Sequence, residues 1–288
     1  MDKTSAENDQ VTHPNRHFLI GLARAFGGAL LFSFPILMTM EMWQIGFYID
    51  RFRLALFIIA FIPLLFGLSY FDGFEETNGF IEDAVDVFVA YTVGFIASAT
   101  ILFIFNIINF SMPADEVIGK ISIQAIVASI GALVAQSSLG GNGDESESDE
   151  EKSKTKEPRS YYGEIVLMMI GAIFLSMSIA PTEEMILIAF KMTYWQIVAL
   201  AIGSLLMMHA FVYVVKFRGQ ETRPEDSSFT GVFLRFTVVG YAAVLMISLY
   251  LLWTFGRLDG MGISEIVQVA IVLSFPGALG AAASRLIL

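Results

Sequence analysis

The sequence predicts an all-α, polytopic membrane protein of about eight transmembrane helices, arranged as two parallel four-helix repeats. Three observations predict it: the composition, the length of the apolar runs, and a polar stretch that divides those runs into two sets. Of the 288 residues, 56% are hydrophobic and 16% are charged, whereas a soluble domain carries about a quarter charged residues. The apolar excess lies in unbroken runs. Ala25 to Met40 holds no charged residue, and Ala84 to Pro113 holds only Asp86. About 20 mainly apolar residues cross a hydrocarbon core roughly 30 Å thick, because each adds about 1.5 Å along a helix. A soluble core helix of that length would carry a polar face.

Met1 to His17 forms a polar tail, expected in the cytoplasm, and the first apolar run behind it is expected to stay as an anchor. The first four-helix repeat, residues 18–139, holds spans at about Phe18–Met40, Leu54–Tyr70, Val85–Phe110 and Val117–Gln136. Residues 140–160, GGNGDESESDEEKSKTKEPRS, carry almost nothing to bury and read as a flexible charged linker. The second repeat, residues 161–288, holds spans at about Tyr161–Ala180, Trp195–Val215, Phe229–Phe255 and Ile263–Leu286. Lys3, Arg16, the four basic linker residues, Lys216, Arg218, Arg223 and Arg285 would share one side. Arg51, Arg53, Lys120, Lys191 and Arg257 would take the other. The richer side is the cytoplasmic one by the positive-inside rule, which places the linker and both termini there.

The two sets of runs match each other. GALLFSFPILMTMEM (Gly28–Met42) aligns without gaps on GAIFLSMSIAPTEEM (Gly171–Met185), pairing Gly28 with Gly171, Ser33 with Ser176, Thr39 with Thr182 and Glu41 with Glu184. YTVGF (Tyr91–Phe95) aligns on FTVVGY (Phe236–Tyr241) with one inserted residue, and Ala125-Ile126-Val127 aligns on Ala270-Ile271-Val272. Shared Leu and Ile prove little, but shared Gly, Ser, Thr and Glu in one register carry more. An even number of crossings per half gives both halves one orientation, related by a pseudo-two-fold axis along the membrane normal.

That register selects Glu41 and Glu184 as candidate ion-binding or permeation residues. Each follows a proline, Pro35 or Pro181, and lies two residues after a threonine, Thr39 or Thr182. A helix broken at proline, with a carboxylate and a hydroxyl at the break, suits cation coordination or a proton relay. The competing reading leaves both glutamates in the headgroup zone, since about 20 residues from Phe18 reach only Leu37. The loop DGFEETNGFIED, with Asp72, Glu75, Glu76 and Asp83, fails the helix-loop-helix calcium pattern. It reads as a solvated loop able to attract cations to a pore mouth. Arg24 and Arg235 are expected to reach the interface, His209 to pack, and Asn106, Asn109, Gln124, Gln136 and Gln268 to bond between helices.

Several classes fall away. A net charge of −11 excludes nucleic-acid binding through a basic face. There is no cysteine for thiolate chemistry, and no HExxH or phosphate-cradling loop. No enzyme and no cofactor is expected, and which metal, if any, is bound stays open. The paired SFPILMTMEM and SMSIAPTEEM segments, with a charged linker between four-helix halves, resemble a bacterial family of integral membrane proteins of unknown function, over about Phe18 to Leu288. The resemblance implies a bacterial inner membrane and supplies no activity or site residues. The expected function is a cation or proton channel, or an ion-coupled transporter, using Glu41 and Glu184. Its partners are the lipid bilayer and an inorganic cation or proton, with homo-oligomerisation left open. The alternative is a non-transporting scaffold or stress sensor acting through the linker and the acidic loop.

Overall fold

Helix after helix follows from the apolar runs, in a computed structural model that describes residues 13–72, 80–139, 161–213 and 233–287. In chain order these are α1 (His13–Leu37), α2 (Met40–Tyr48), α3 (Arg51–Asp72), α4 (Phe80–Ile104) and α5 (Ala114–Leu139). Beyond residue 160 come α6 (Tyr161–Ile179), α7 (Glu183–Lys191), α8 (Tyr194–Tyr213), a π-helical turn (Phe233–Val238), α9 (Val239–Thr254) and α10 (Ile263–Ile287). Seven helices among the described residues are long and apolar enough to cross a membrane; α7 and α8, bent by 118° at their junction, make an eighth if taken together. The protein is therefore all-helical and multi-pass. Large apolar side chains such as Leu31, Ile81, Trp195 and Met246 are more than two-thirds exposed along these helices, as a lipid-facing surface requires.

Two helices, α5 and α10, each gather the helices that precede them. All side chains of α5 from Gly119 to Ala135 are buried, and α1, α2, α3 and α4 all pack on it. In the second half α6, α7, α8 and α9 all pack on α10. Glycine permits the closest crossings. A Cβ on Gly28 would strike the Ala135 side chain and the Gly131 carbonyl, and one on Gly171 would strike the Gly280 carbonyl. Packing between membrane helices depends on such small residues because lipid is as apolar as leucine.

The halves meet chiefly through α3 and α1. Phe57 of α3 packs its ring on Tyr250 at 6.2 Å and on Phe255 at 6.0 Å, and Phe32 of α1 meets Phe174 of α6 at 5.1 Å. Arg53 at the start of α3 bonds Trp253 O at the end of α9, and Arg257 bonds Pro181 O just past α6. The start of α3 and the ends of α6 and α9 thus share one end of the bundle, so α1 and α6 run in the same direction.

Three sequence expectations change at this level. The first predicted span, to Met40, is cut at Met38–Thr39, and residues beyond the cut form a separate nine-residue helix, α2. Asn106 and Asn109 act locally. Asn106 takes a left-handed φ of +57° where α4 ends, and the Asn109 carboxamide oxygen accepts from Ser111 N at 3.0 Å. Gln124 is fully buried, yet neither amide atom has a hydrogen-bond partner among the described residues.

Candidate functional site

The two helix breaks are built from the same bonds. Pro35 sits inside the last turn and a half of α1, where it donates no backbone hydrogen bond, and α1 stops at Leu37. Thr39 then turns extended (φ −97°, ψ 126°), and both its amide and its hydroxyl donate to Ile36 O, at 3.1 and 2.8 Å. Trp43 Nε1 donates to Leu37 O at 2.7 Å. In the second half Pro181 stands within the break itself, buried, not inside a helix. Thr182 is extended (φ −77°, ψ 147°) and donates its amide and hydroxyl to Ile179 O at 2.9 and 2.8 Å. Carbonyls left over at the end of a helix need such donors in a membrane. The threonine hydrogens are therefore used in capping the preceding helix, and only the oxygen lone pairs face outward chemistry.

Glu41 lies in the first turn of α2 and is half-buried; Glu184 lies in the first turn of α7, beside Glu183, and is exposed. Carboxylates favour that position because the helix dipole is positive there. Neither has an ion-pair or hydrogen-bond partner among the described residues. Thr39 and Glu41 share one capped turn, as do Thr182 and Glu184, but the short helices dock separately. α2 places Met42, Ile45 and Gly46 on α5, with Gly46 against the Lys120 backbone, and α7 places Met185 and Ala189 toward α10. A groove of about 440 Å³ runs beside α2, walled by Trp43, Phe47 and Ile107 and floored by the Lys120–Glu116 pair. Glu41 is not part of its wall. Among the described residues no three acids or histidines cluster as a metal site.

Ion pairs surround this end. Arg51 meets Asp115 at 2.8 Å with both side chains exposed, and Arg257 approaches Glu183 at 3.8 Å; pairs of this kind contribute little. Arg53 is different. It grips both oxygens of Asp259, at 2.8 and 3.0 Å, donates to Trp253 O at 2.9 Å, and covers the Trp253 ring at 5.0 Å. The Arg53 hydrogen bonds hold the Asp259 carboxyl below the usual carboxylate range, against a smaller opposing effect of burial. A lowered acid pKa adds stability above the unfolded value and loses it as pH falls through the folded one. Acidification below about pH 4 is therefore expected to loosen the junction of the halves. Asp259→Asn should flatten that acid dependence in thermal melts, while leaving the melt at neutral pH slightly lower.

The acidic stretch departs from expectation. Asp72 closes α3, and Glu75 and Glu76 lie outside the described residues. Asp83 is not a solvated loop residue: α4 begins at Phe80, five residues before the predicted span, and Asp83 is buried with 5% exposure. Acids suit the first turns of a helix, so hydropathy places the start of α4 too late.

Sequence reasoning missed the polar cluster at the opposite end. Glu164 in the first turn of α6 pairs with Arg285 in the last turn of α10 at 2.8 Å, both side chains nearly inaccessible. The Arg285 guanidinium lies 5.3 Å from the Phe236 ring and that of Arg235 lies 4.7 Å from the Tyr161 ring. Tyr161 donates its hydroxyl to Arg235 O at 3.0 Å, and His209 Nδ1 lies 2.8 Å from the Thr237 hydroxyl. The signal was present as an acid three residues after the start of one span and a base two residues before the end of its antiparallel neighbour.

No curated protein matches the chain, and no solved structure does. One family matches residues 21–288, nearly the whole chain, under the description "Putative integral membrane protein (DUF2391)". Seven helices among the described residues long enough and apolar enough to cross a membrane agree with a match of that extent: the chain belongs to this family of integral membrane proteins.

Proposed function

We propose that the protein carries a cation or a proton across a bacterial inner membrane, as a channel or ion-coupled transporter, with Glu41 and Glu184 at the mouth of the path. The observation that carries the reading is the recurrence of one arrangement at one end of the bundle: a capped break with a glutamate two residues beyond the capping threonine. Carboxylates at a pore mouth raise the local cation concentration and select the sign of the permeant ion. The same arrangement, with α1 and α6 running in one direction, favours two parallel repeats about an axis along the membrane normal. The positive-inside count then puts both termini in the cytoplasm and the breaks outside.

Full-length protein in liposomes should pass cations or protons down a gradient, read with fluorescent indicators. The double variant Glu41→Gln/Glu184→Gln should lower that flux at least about ten-fold at low ionic strength and less at high salt, since exposed charge is screened. Flux equal to that of the unmodified protein in the double variant removes these residues from the path. No flux in either protein rejects the transport reading.

A further inference from the structure

The head of α9 carries one residue too many for an α-helix. Aligning Tyr91–Phe95 on Phe236–Tyr241 leaves one residue over, and it falls at Val238–Val239. The backbone there winds as a π turn from Phe233 to Val238 before α9 continues regularly. A π turn closes i→i+5 bonds and so absorbs a single extra residue without a loop; such turns concentrate where helices do mechanical or chemical work.

Side chains from two neighbouring helices grip this turn in its present winding. From α6, Tyr161 packs edge-on against Phe236 at 5.2 Å and bonds the Arg235 carbonyl, while Arg235 folds back over the Tyr161 ring. From α8, His209 meets the Phe233 ring at 5.2 Å and bonds Thr237. Leu234, next in sequence to Phe233, is 60% exposed.

We propose that the π turn is a two-register hinge. An α winding of the same residues exchanges i→i+5 for i→i+4 bonds and rotates the head of α9 by roughly 100°, one residue's worth of helix. Leu234 then occupies the place of Phe233 against His209, and Arg235 leaves the Tyr161 ring. The head of α9 thus turns next to the buried Glu164–Arg285 pair while Val239–Thr254 stays packed on α10. The hinge rests on the winding and its contacts, not on the transport reading, and its test reads geometry alone.

The chain has no cysteine, so introduced pairs report without background. Full-length protein in membranes carries either His209→Cys with Phe233→Cys or His209→Cys with Leu234→Cys. After oxidation and trypsin, which cuts at Lys216 and Arg218, a disulfide between the two sites is read as a linked peptide pair by mass spectrometry. The 209–233 pair should link rapidly. The 209–234 pair should also link, more slowly, as a minor state of roughly a few per cent is trapped. Deleting Val239 removes the surplus residue and leaves one register with Phe233 facing position 209. In that background the 209–233 link should persist and the 209–234 link should fall at least about ten-fold. A 209–234 yield that is no higher at full length than in the Val239 deletion overturns the hinge. So does a 209–233 pair that fails to link in folded protein.

Discussion

Gly28→Leu and Gly171→Leu are each expected to cost more than about 3 kcal/mol, seen as loss of monodisperse protein in detergent and a fall in thermal unfolding temperature. The cause is contact with backbone. At Gly28 the new side chain meets the Gly131 carbonyl and Ala135, and at Gly171 it meets the Gly280 carbonyl and Ser284. A flexible side chain can swing aside, but a carbonyl inside a helix cannot move without moving the helix. α1 would have to withdraw from α5, and α6 from α10, opening the most intimate crossing of each half. Gly27 supplies the control, because a Cβ there meets nothing within 4 Å. Gly27→Ala should leave stability unchanged or raise it by up to about 1 kcal/mol, the usual gain for alanine over glycine in a helix. Equal damage from both substitutions would mean that the crossings are looser than described.

Glu164→Leu is expected to be the most damaging single change of charge, at about 3–5 kcal/mol, because it leaves the Arg285 guanidinium buried without its carboxylate. Arg285 has only 3% of its side chain exposed, so water cannot take over the role of Glu164. The double variant Glu164→Leu/Arg285→Met should recover most of the loss, since an apolar pair of similar volume avoids the desolvation cost altogether. Thermal unfolding of the two singles and the double closes the cycle. A double variant no more stable than Glu164→Leu would show that the pair is not the unit that matters. By contrast, Arg51→Ala should change little, since that guanidinium is 86% exposed where it meets Asp115.

The class of fold was legible because bilayer thickness acts on every span alike, and unbroken apolar runs report it directly. Places where a chain turns inside an apolar run were less so. Leu37 to Tyr48 reads as nearly continuous hydropathy, and only the capping geometry of Thr39 shows that α1 ends and α2 begins. Glu41 and Glu184 were legible as a pair through their common register. Their degree of exposure was not, because it depends on how α2 and α7 lie across the ends of α5 and α10. Glu164 and Arg285 were invisible as partners, since 121 positions separate them and each alone resembles an interfacial charge. Asp83 was misplaced for the converse reason: a carboxylate in the first turns of a helix looks, by hydropathy, like the loop before it. The π turn left a trace in the sequence as one unmatched residue.

The arrangement of each half around its last helix also bears on how the protein is made. During synthesis α1 to α4 enter the membrane before α5 exists, so the glycine-bearing face of α1 has no protein to meet. That face, and the buried Ser33 beside it, has no α5 to pack on until residues up to Leu139 have emerged. Arrival of α5 then supplies the surface on which α1 to α4 pack, and α10 does the same for α6 to α9. A ribosome stalled before Ala114 would leave a set of helices with no hub, a natural substrate for membrane quality control.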